Sequence, residues 1–386
     1  MNTKRAIIDT SADRVEKWVE KNGYRGYEPF DGLSSFVRPI TLGNVFAERL
    51  LQQLVRQCPV NLRPVLGVAK KDSTKGRGYM AWGYLKRYKL TGDKNYLDKA
   101  IGCLEWLERN KASGYQKHSW GNHFDFTSRA GRLPAHEPII VWSSLIGQAF
   151  LDAYEISGDK KFLDIARSIC GWILDLPREH TPRGTCLSYV AYTQSSIHNS
   201  NMLGAAMLAR TAVITKDKNA LEVAKGAMEY SCSRQFPDGS WWYGEGANTH
   251  WIDNFHTAYN LDSLKCYIDC TGDQDYKEHL QKGFRYFKKN FFEENGRPKY
   301  YHNRAYPIDI QCASQAIDTL ALFSDIDSES LELGWKTALW TINNMQDKAG
   351  YFYFRQIPGV KAKTPMLHWG QATMYKGLVH LASKIQ

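Results

Sequence analysis

The chain has 386 residues, of which 43% are hydrophobic and 23% charged, a globular composition that excludes disordered and collagen-like chains. The net charge is +10, yet Lys and Arg are scattered, with no basic run, zinc spacing or RNA-recognition motif; nucleic acid is therefore not an expected partner, which leaves an acidic oligo- or polysaccharide or a phosphorylated substrate for the positive field to attract. No stretch approaches the ~18 consecutive apolar residues of a membrane span, and the opening MNTKRAIIDTSADRVEKW lacks the apolar region of a secretory signal.

Residues 1–43, with the Gly- and aromatic-rich WVEKNGYRGYEPFDGLSSF, are expected to form an N-terminal extension packed on the domain that follows. A helix is predicted over NVFAERLLQQLVRQ from Asn44. Four helical hairpins come next, each a helical run, a TGD-type turn and a second run. They begin at Tyr79, Ile140, Ser200 and Ala258, and their turn residues Gly92, Gly158, Lys216 and Gly272 lie 66, 58 and 56 residues apart. A fifth, degenerate copy starts at Cys312, and a last helix, WGQATMYKGLVHLASK from Trp369, matches the first member of each pair. The helix from Asn44 is expected to be its missing partner and to close a ring.

Each run places apolar residues at i, i+3, i+4 and i+7, the amphipathic helix signal. Gly suits the position after the first helix, and Asp caps the second. A lone hairpin cannot bury its apolar face, so neighbours must stack. The small residues of GQA, GAA, ASQA and WGQA mark the first helices as an inner ring. The expected fold is all-α: an (α/α)6 toroid of six helical hairpins, forming a single domain over 44–386. The eight Cys show no CxxC spacing and fall mostly in apolar helical patterns. Buried reduced thiols, and hence a cytoplasmic setting, are expected.

The TGD turns make one short face of this ring. The links at 112–138, 178–197, 236–254, 294–309 and 347–367 are long and emerge on the other face, at the N-terminal ends of the inner helices. Nine of the eleven histidines (118, 123, 136, 180, 198, 250, 256, 302 and 368) fall in those links or in the first turn of an inner helix. Groups that titrate near neutrality thus gather at one mouth, beside helix N-termini that favour anions.

The link FPDGSWWYGEGANTHWIDNFH offers Trp241, Trp242, Tyr243 and Trp251 as a sugar platform, and Glu245, Asp253 and His256 as acid and base groups. Asp253 is equally placed to cap the next helix, and the tryptophans to pack a core. The link HSWGNHFDFTSRAGRLPAHE offers Trp120, Asp125 and Arg129. Phe124 and Phe126 flank Asp125, a setting that raises a carboxyl pKa, and Arg129 suits a substrate carboxylate. Inner-helix starts add His198, Asn199, Tyr306, Asp309, Gln311, His368 and Trp369. The HExxH, EF-hand, P-loop, GxGxxG and GxSxG patterns are absent, so no metal or other cofactor is expected.

The six-hairpin pattern resembles the (α/α)6 six-hairpin glycosidases and polysaccharide lyases. RQFPDGSWWYG resembles the QxxDGSW element of terpenoid-cyclase-type toroids, without the DxDD motif of one cyclase branch. Over about residues 70–385, HFDFTSR, SGDKKFLDIARSIC, HNSNMLGA, DGSWWYGEG, WIDNFHTAYNLD, YPIDIQCASQAI and LHWGQA resemble bacterial exopolysaccharide-biosynthesis proteins. Some of these carry an aminolevulinate dehydratase label, which helical hairpins contradict, because that enzyme resembles a TIM barrel.

The resemblance implies a carbohydrate-active enzyme of bacterial surface-polysaccharide metabolism. A glycoside hydrolase would work with two carboxylates, Asp253 with Asp309 or Asp125. A polysaccharide lyase or uronate C5-epimerase would take a His or Tyr base from His256, His198 and Tyr243, with Asn199 and Arg129 on the substrate carboxylate. A non-catalytic glycan-binding protein of a synthesis complex is the third reading.

Overall fold

The structure, a computed structural model, describes residues 3–128 and 131–385. Six inner helices form the ring: α3 (Thr74–Thr91), α5 (Ile140–Ser157), α7 (His198–Thr215), α9 (Asn254–Thr271), α11 (Ile310–Phe323) and α13 (Thr373–Lys384). Each packs on the next, and α13 packs back on α3. The outer partners are α4 (Lys94–Arg109), α6 (Lys160–Leu174), α8 (Lys218–Cys232), α10 (Lys277–Asn290), α12 (Glu329–Met345) and α1 (Thr3–Lys21). This is the expected (α/α)6 toroid.

The hairpin turns follow the chemistry of their residues. Gly92, Gly158 and Gly272 end inner helices with φ of +71°, +70° and +75°, a left-handed conformation that glycine adopts without Cβ strain. Asp93, Asp159 and Asp217 then cap the outer helices, accepting from the amides of Asn95, Lys161 and Ala220. Lys216 stands where the other turns have glycine, at φ +60°. Left-handed backbone costs a side-chain-bearing residue about 1 kcal/mol. Lys216→Gly is therefore expected to stabilise the fold by up to about 1 kcal/mol, read as a higher urea midpoint at unchanged slope.

Close helix approach explains the small residues. A Cβ on Gly147 of α5 would lie 2.5 Å from the Met207 sulfur of α7, and one on Gly377 of α13 would lie 2.8 Å from the Ser314 carbonyl of α11.

The ring closes differently from expectation. The partner of α13 is α1, not the helix from Asn44. In α1, Ile8, Ala12, Val15 and Val19 form a buried stripe, and Arg87 of α3 anchors it through Asp9 and Asp13. The helix from Asn44 is α2 (Val45–Gln57), which leans on the mouth links instead. Its inward face carries Glu48 and Gln52, which suit polar loops and not an apolar ring.

Short antiparallel pairs stiffen the links: β1 (Arg25–Gly26) with β2 (Lys71–Asp72), β3 (Phe126–Ser128) with β4 (Gly131–Leu133), and β5 (Arg178–Thr181) with β6 (Gly184–Leu187). Strands β7 (Ile308–Asp309), β8 (Arg355–Ile357) and β9 (Val360–Ala362) join in one sheet. A π-helical turn, Leu367–Ala372, opens α13 and turns His368 and Trp369 into the mouth region.

Candidate active site at the mouth of the ring

Asp253 is the N-cap of α9, and its carboxylate is fully committed. Oδ1 accepts the His256 amide, while Oδ2 accepts Trp251 Nε1 at 2.9 Å and lies 2.7 Å from His256 Nδ1. The group is 1% exposed. Both oxygens expected to serve as a hydrolytic acid or base are thus held by protein partners, one of them the His256 ring. In the neutral tautomer of His256 that donates Nδ1–H to the carboxylate, Nε2 is the acceptor nitrogen. The His256 side chain is 20% exposed and lines a narrow cavity with Asn199, Trp242, Tyr243, Trp251, Thr257 and Asn260. Tyr243 stacks on Trp251 at 4.5 Å and leans on the His256 ring at 4.5 Å.

The other proposed carboxylates are also committed. Asp309 caps α11 through the Gln311 amide and accepts Trp369 Nε1 at 2.7 Å on the same oxygen. Its second oxygen takes Arg355 Nε and Nη2 at 3.0 and 2.7 Å. It is wholly buried. Asp125 is bound by Arg38 and by the Ala135 amide. Burial raises its carboxyl, but these two partners outweigh burial and hold it below the ordinary value. The raised pKa expected from its Phe neighbours is therefore not found.

His198 is a strut. Its Nε2 meets Glu245 at 2.8 Å and its Nδ1 meets Ser231 Oγ at 3.2 Å, so both nitrogens are engaged. Glu245 is held below its ordinary value, chiefly by this hydrogen bond. The pair ties the aromatic link to α7, where the His198 amide also donates to the Tyr243 carbonyl. Trp120 and Trp241 are core residues, their indoles donating to the Leu107 and Ser231 carbonyls near the ends of α4 and α8; Trp241 gives only an edge to the cavity. Tyr306 lies away from it, under Arg297. Arg129 lies outside the described residues.

His368 forms a second carboxylate-bound imidazole. Its Nδ1 is 2.6 Å from Glu28 Oε2, and its amide donates to Glu28 Oε1. Nε2 is buried without a hydrogen-bond partner, and the Nδ1–Oε2 approach is a close contact outside hydrogen-bond geometry. Burial depresses His368, and Glu28 opposes that only in part. A polar floor joins the two imidazoles. Tyr259, one helical turn beyond His256, bonds Tyr79 at 2.9 Å and Gln311 at 3.0 Å. Lys75 Nζ lies 3.5 Å from the Tyr259 hydroxyl and 4.5 Å from the Trp142 ring centre, and Trp142 packs on His368 at 5.3 Å. The buried oxygens of Asn199, Asn260 and Gln311 lack protein partners. Each such group costs about 1–3 kcal/mol unless something pairs with it, as a polyhydroxylated ligand would.

Glu28, Lys75, Trp142 and Tyr259 had not been singled out from the sequence. Lys75 and Trp142 occupy the same early positions of inner helices as Asn199 and His256, and that register is a usable signal. Glu28 has none.

Burial pushes Lys75 down to about 7, against the pull of Glu28. Between about 7 and the ordinary value near 10, the unfolded chain holds a proton that the folded chain does not, so this group makes stability rise with pH across that window. Urea titrations at either end of the window are expected to show the rise in the wild type and to show it diminished in Lys75→Met.

No protein-family model matches the sequence, and no curated protein is significantly similar to it. Solved structures share its architecture. Cellobiose 2-epimerase from Bacillus thermoamylovorans is 10% identical, with a TM-score of 0.63 over 81% of this chain and 88% of that one. A GH76 α-mannanase from Bacteroides thetaiotaomicron is 12% identical, with a TM-score of 0.63 over 82% and 88%. A D-mannose isomerase is 12% identical, with a TM-score of 0.61 over 80% and 86%. At these identities the likeness establishes the common (α/α)6 toroid.

Proposed function

We propose that the chain is a carbohydrate-active enzyme of epimerase or isomerase type, with His256 as the base that moves a proton on a sugar carbon beside a carbonyl. The carrying observation is the 2.7 Å contact of His256 Nδ1 with Asp253 at the cavity wall. It leaves Nε2 as acceptor and fixes the ring. His256 Nε2 takes the proton, and the C–H electron pair forms an enediolate with its charge on the former carbonyl oxygen. Delivery of a proton to the opposite face of the same carbon gives the epimer; return of the proton to the neighbouring carbon, with the hydroxyl proton passing to the enediolate oxygen, gives the isomer.

Two toroid neighbours named for sugar epimerisation and isomerisation support the reading. Hydrolysis is less favoured, because Asp253, Asp309 and Asp125 are engaged by protein partners. The acidic character of the substrate rests on the net charge, and a place in surface-polysaccharide metabolism rests on the sequence likeness alone.

The test is proton exchange in deuterated water. Reducing aldoses, a cello-disaccharide and uronate oligosaccharides would be incubated with the protein and followed by NMR at the carbon next to the carbonyl or carboxylate. Loss of that C–H signal supports the proposal. New reducing ends without exchange would return the assignment to a hydrolase, and binding without either would make the protein a glycan-binding module.

A further inference from the structure

Helix α2 has its amphipathicity reversed. A surface helix ordinarily turns its apolar stripe to the core. In α2 the inward face is polar: Gln52 bonds the Thr127 main chain in both directions, and Glu48 takes Arg38 and Arg132. The outward face carries Phe46, Leu50 and Leu54, four residues apart and so on one stripe. The apolar surface continues into Ile40 and Leu42 before the helix and Val60 and Val65 after it. Leu42 is 92% exposed, Ile40 79% and Phe46 75%. Nine of the fourteen exposed large apolar side chains among the described residues lie between Phe36 and Val65, which makes this a patch and not scatter.

We propose that this face seats the protein on an anionic lipid surface, with α2 lying in the plane of the headgroups. Charge selects that partner. Between Phe36 and Lys71 the single carboxylate is Glu48, buried under its two arginines. Arg63 is buried on Asp31, Arg38 is paired with Glu48 and Asp125, and Arg56 packs over Phe30, so the cations this stretch leaves to solvent are the half-buried Arg49 and the exposed Lys70 and Lys71. A second copy docking face to face would bring this cationic set against itself with no acid to meet it. An anionic bilayer supplies both the apolar phase and the counter-charge. Among the described residues no helix is long and apolar enough to cross a membrane, so the contact is peripheral.

The face adjoins the mouth. Gln57 at the end of α2 meets Arg355 at 2.9 Å. Arg56 lies over Phe30, which packs on Trp369. Seating on α2 therefore holds the cavity rim at headgroup level, where a glycan on a lipid anchor would be presented. The inference does not depend on the proton chemistry proposed for the cavity.

The test is flotation with vesicles of equal parts phosphatidylcholine and phosphatidylglycerol, alongside phosphatidylcholine alone. The wild type is expected to float with the mixed vesicles, less with phosphatidylcholine, and to be released by salt. Phe46→Glu/Leu50→Glu is expected to lose at least about tenfold in vesicle partitioning, with its circular dichroism and melting temperature unchanged, since both positions are exposed. Leu54→Glu alone provides a second variant. His256→Asn is expected to float like the wild type, which separates this inference from the catalytic one. The proposal is overturned by a wild type that does not float, by variants that float equally well, or by a dimer that the double variant splits in the absence of vesicle binding.

Discussion

Replacing His256 with asparagine is expected to lower the rate of proton exchange by about 10²–10⁴-fold, the range a positioned general base supplies. The fold should be unaffected, because the ring lies at the cavity wall and the Asp253 cap on the His256 amide involves only the backbone. Asp253→Asn should fall in the same range through a different route. An Asn side chain brings one oxygen where Asp253 uses two. If that oxygen keeps the helix cap, its N–H faces His256 Nδ1 and reverses the tautomer. Asn is as good an N-cap as Asp, so the cap persists; the Trp251 indole N–H loses its Asp253 acceptor, a cost of about 1–3 kcal/mol, while turnover collapses. Exchange measured by NMR, beside thermal melts of both variants, checks the pair. A purely structural Asp253 would give the opposite pattern.

Removing Arg355 is expected to have the largest effect on stability. Arg355→Met leaves the wholly buried Asp309 carboxylate with only the Trp369 indole and one backbone amide. Breaking one side of a buried pair costs about 3–5 kcal/mol, because the remaining charge is uncompensated. The double variant Asp309→Asn/Arg355→Met removes that charge and should recover much of the loss. Urea denaturation of the three proteins reads the difference. Additive losses would show that Asp309 was not relying on Arg355.

The architecture was legible because its determinants are local. A turn glycine, the Asp that follows it and the next apolar stripe lie within a few residues of one another, and each does in space what its chemistry requires. The ring closure was not legible, for an instructive reason. The stripe of Ile8, Ala12, Val15 and Val19 is present in the sequence, but α2 shows a strong stripe too. Periodicity reveals that a helix has an apolar side without revealing what that side meets. In α1 it meets the ring; in α2 it meets solvent.

The site divides along the same line. The gathering of histidines at one face followed from hairpin topology. Their roles did not, because each is set by a partner distant in sequence. His368 depends on Glu28, and Asp309 on Arg355 and Trp369. His256 has its carboxylate partner three residues away, so that contact alone lay within reach of a local reading.

The seam between α1 and α13 has a consequence for assembly. Inner and outer partners elsewhere are neighbours in the chain and can dock soon after both are made. The buried stripe of α1 meets a helix that leaves the ribosome after every other hairpin has been synthesised. Through most of translation Ile8, Val15 and Val19 therefore have no native cover, and the half-built ring is an open arc with two sticky ends. Closure of this toroid is a late, long-range event, and that interval is when the nascent chain most needs protection from its neighbours.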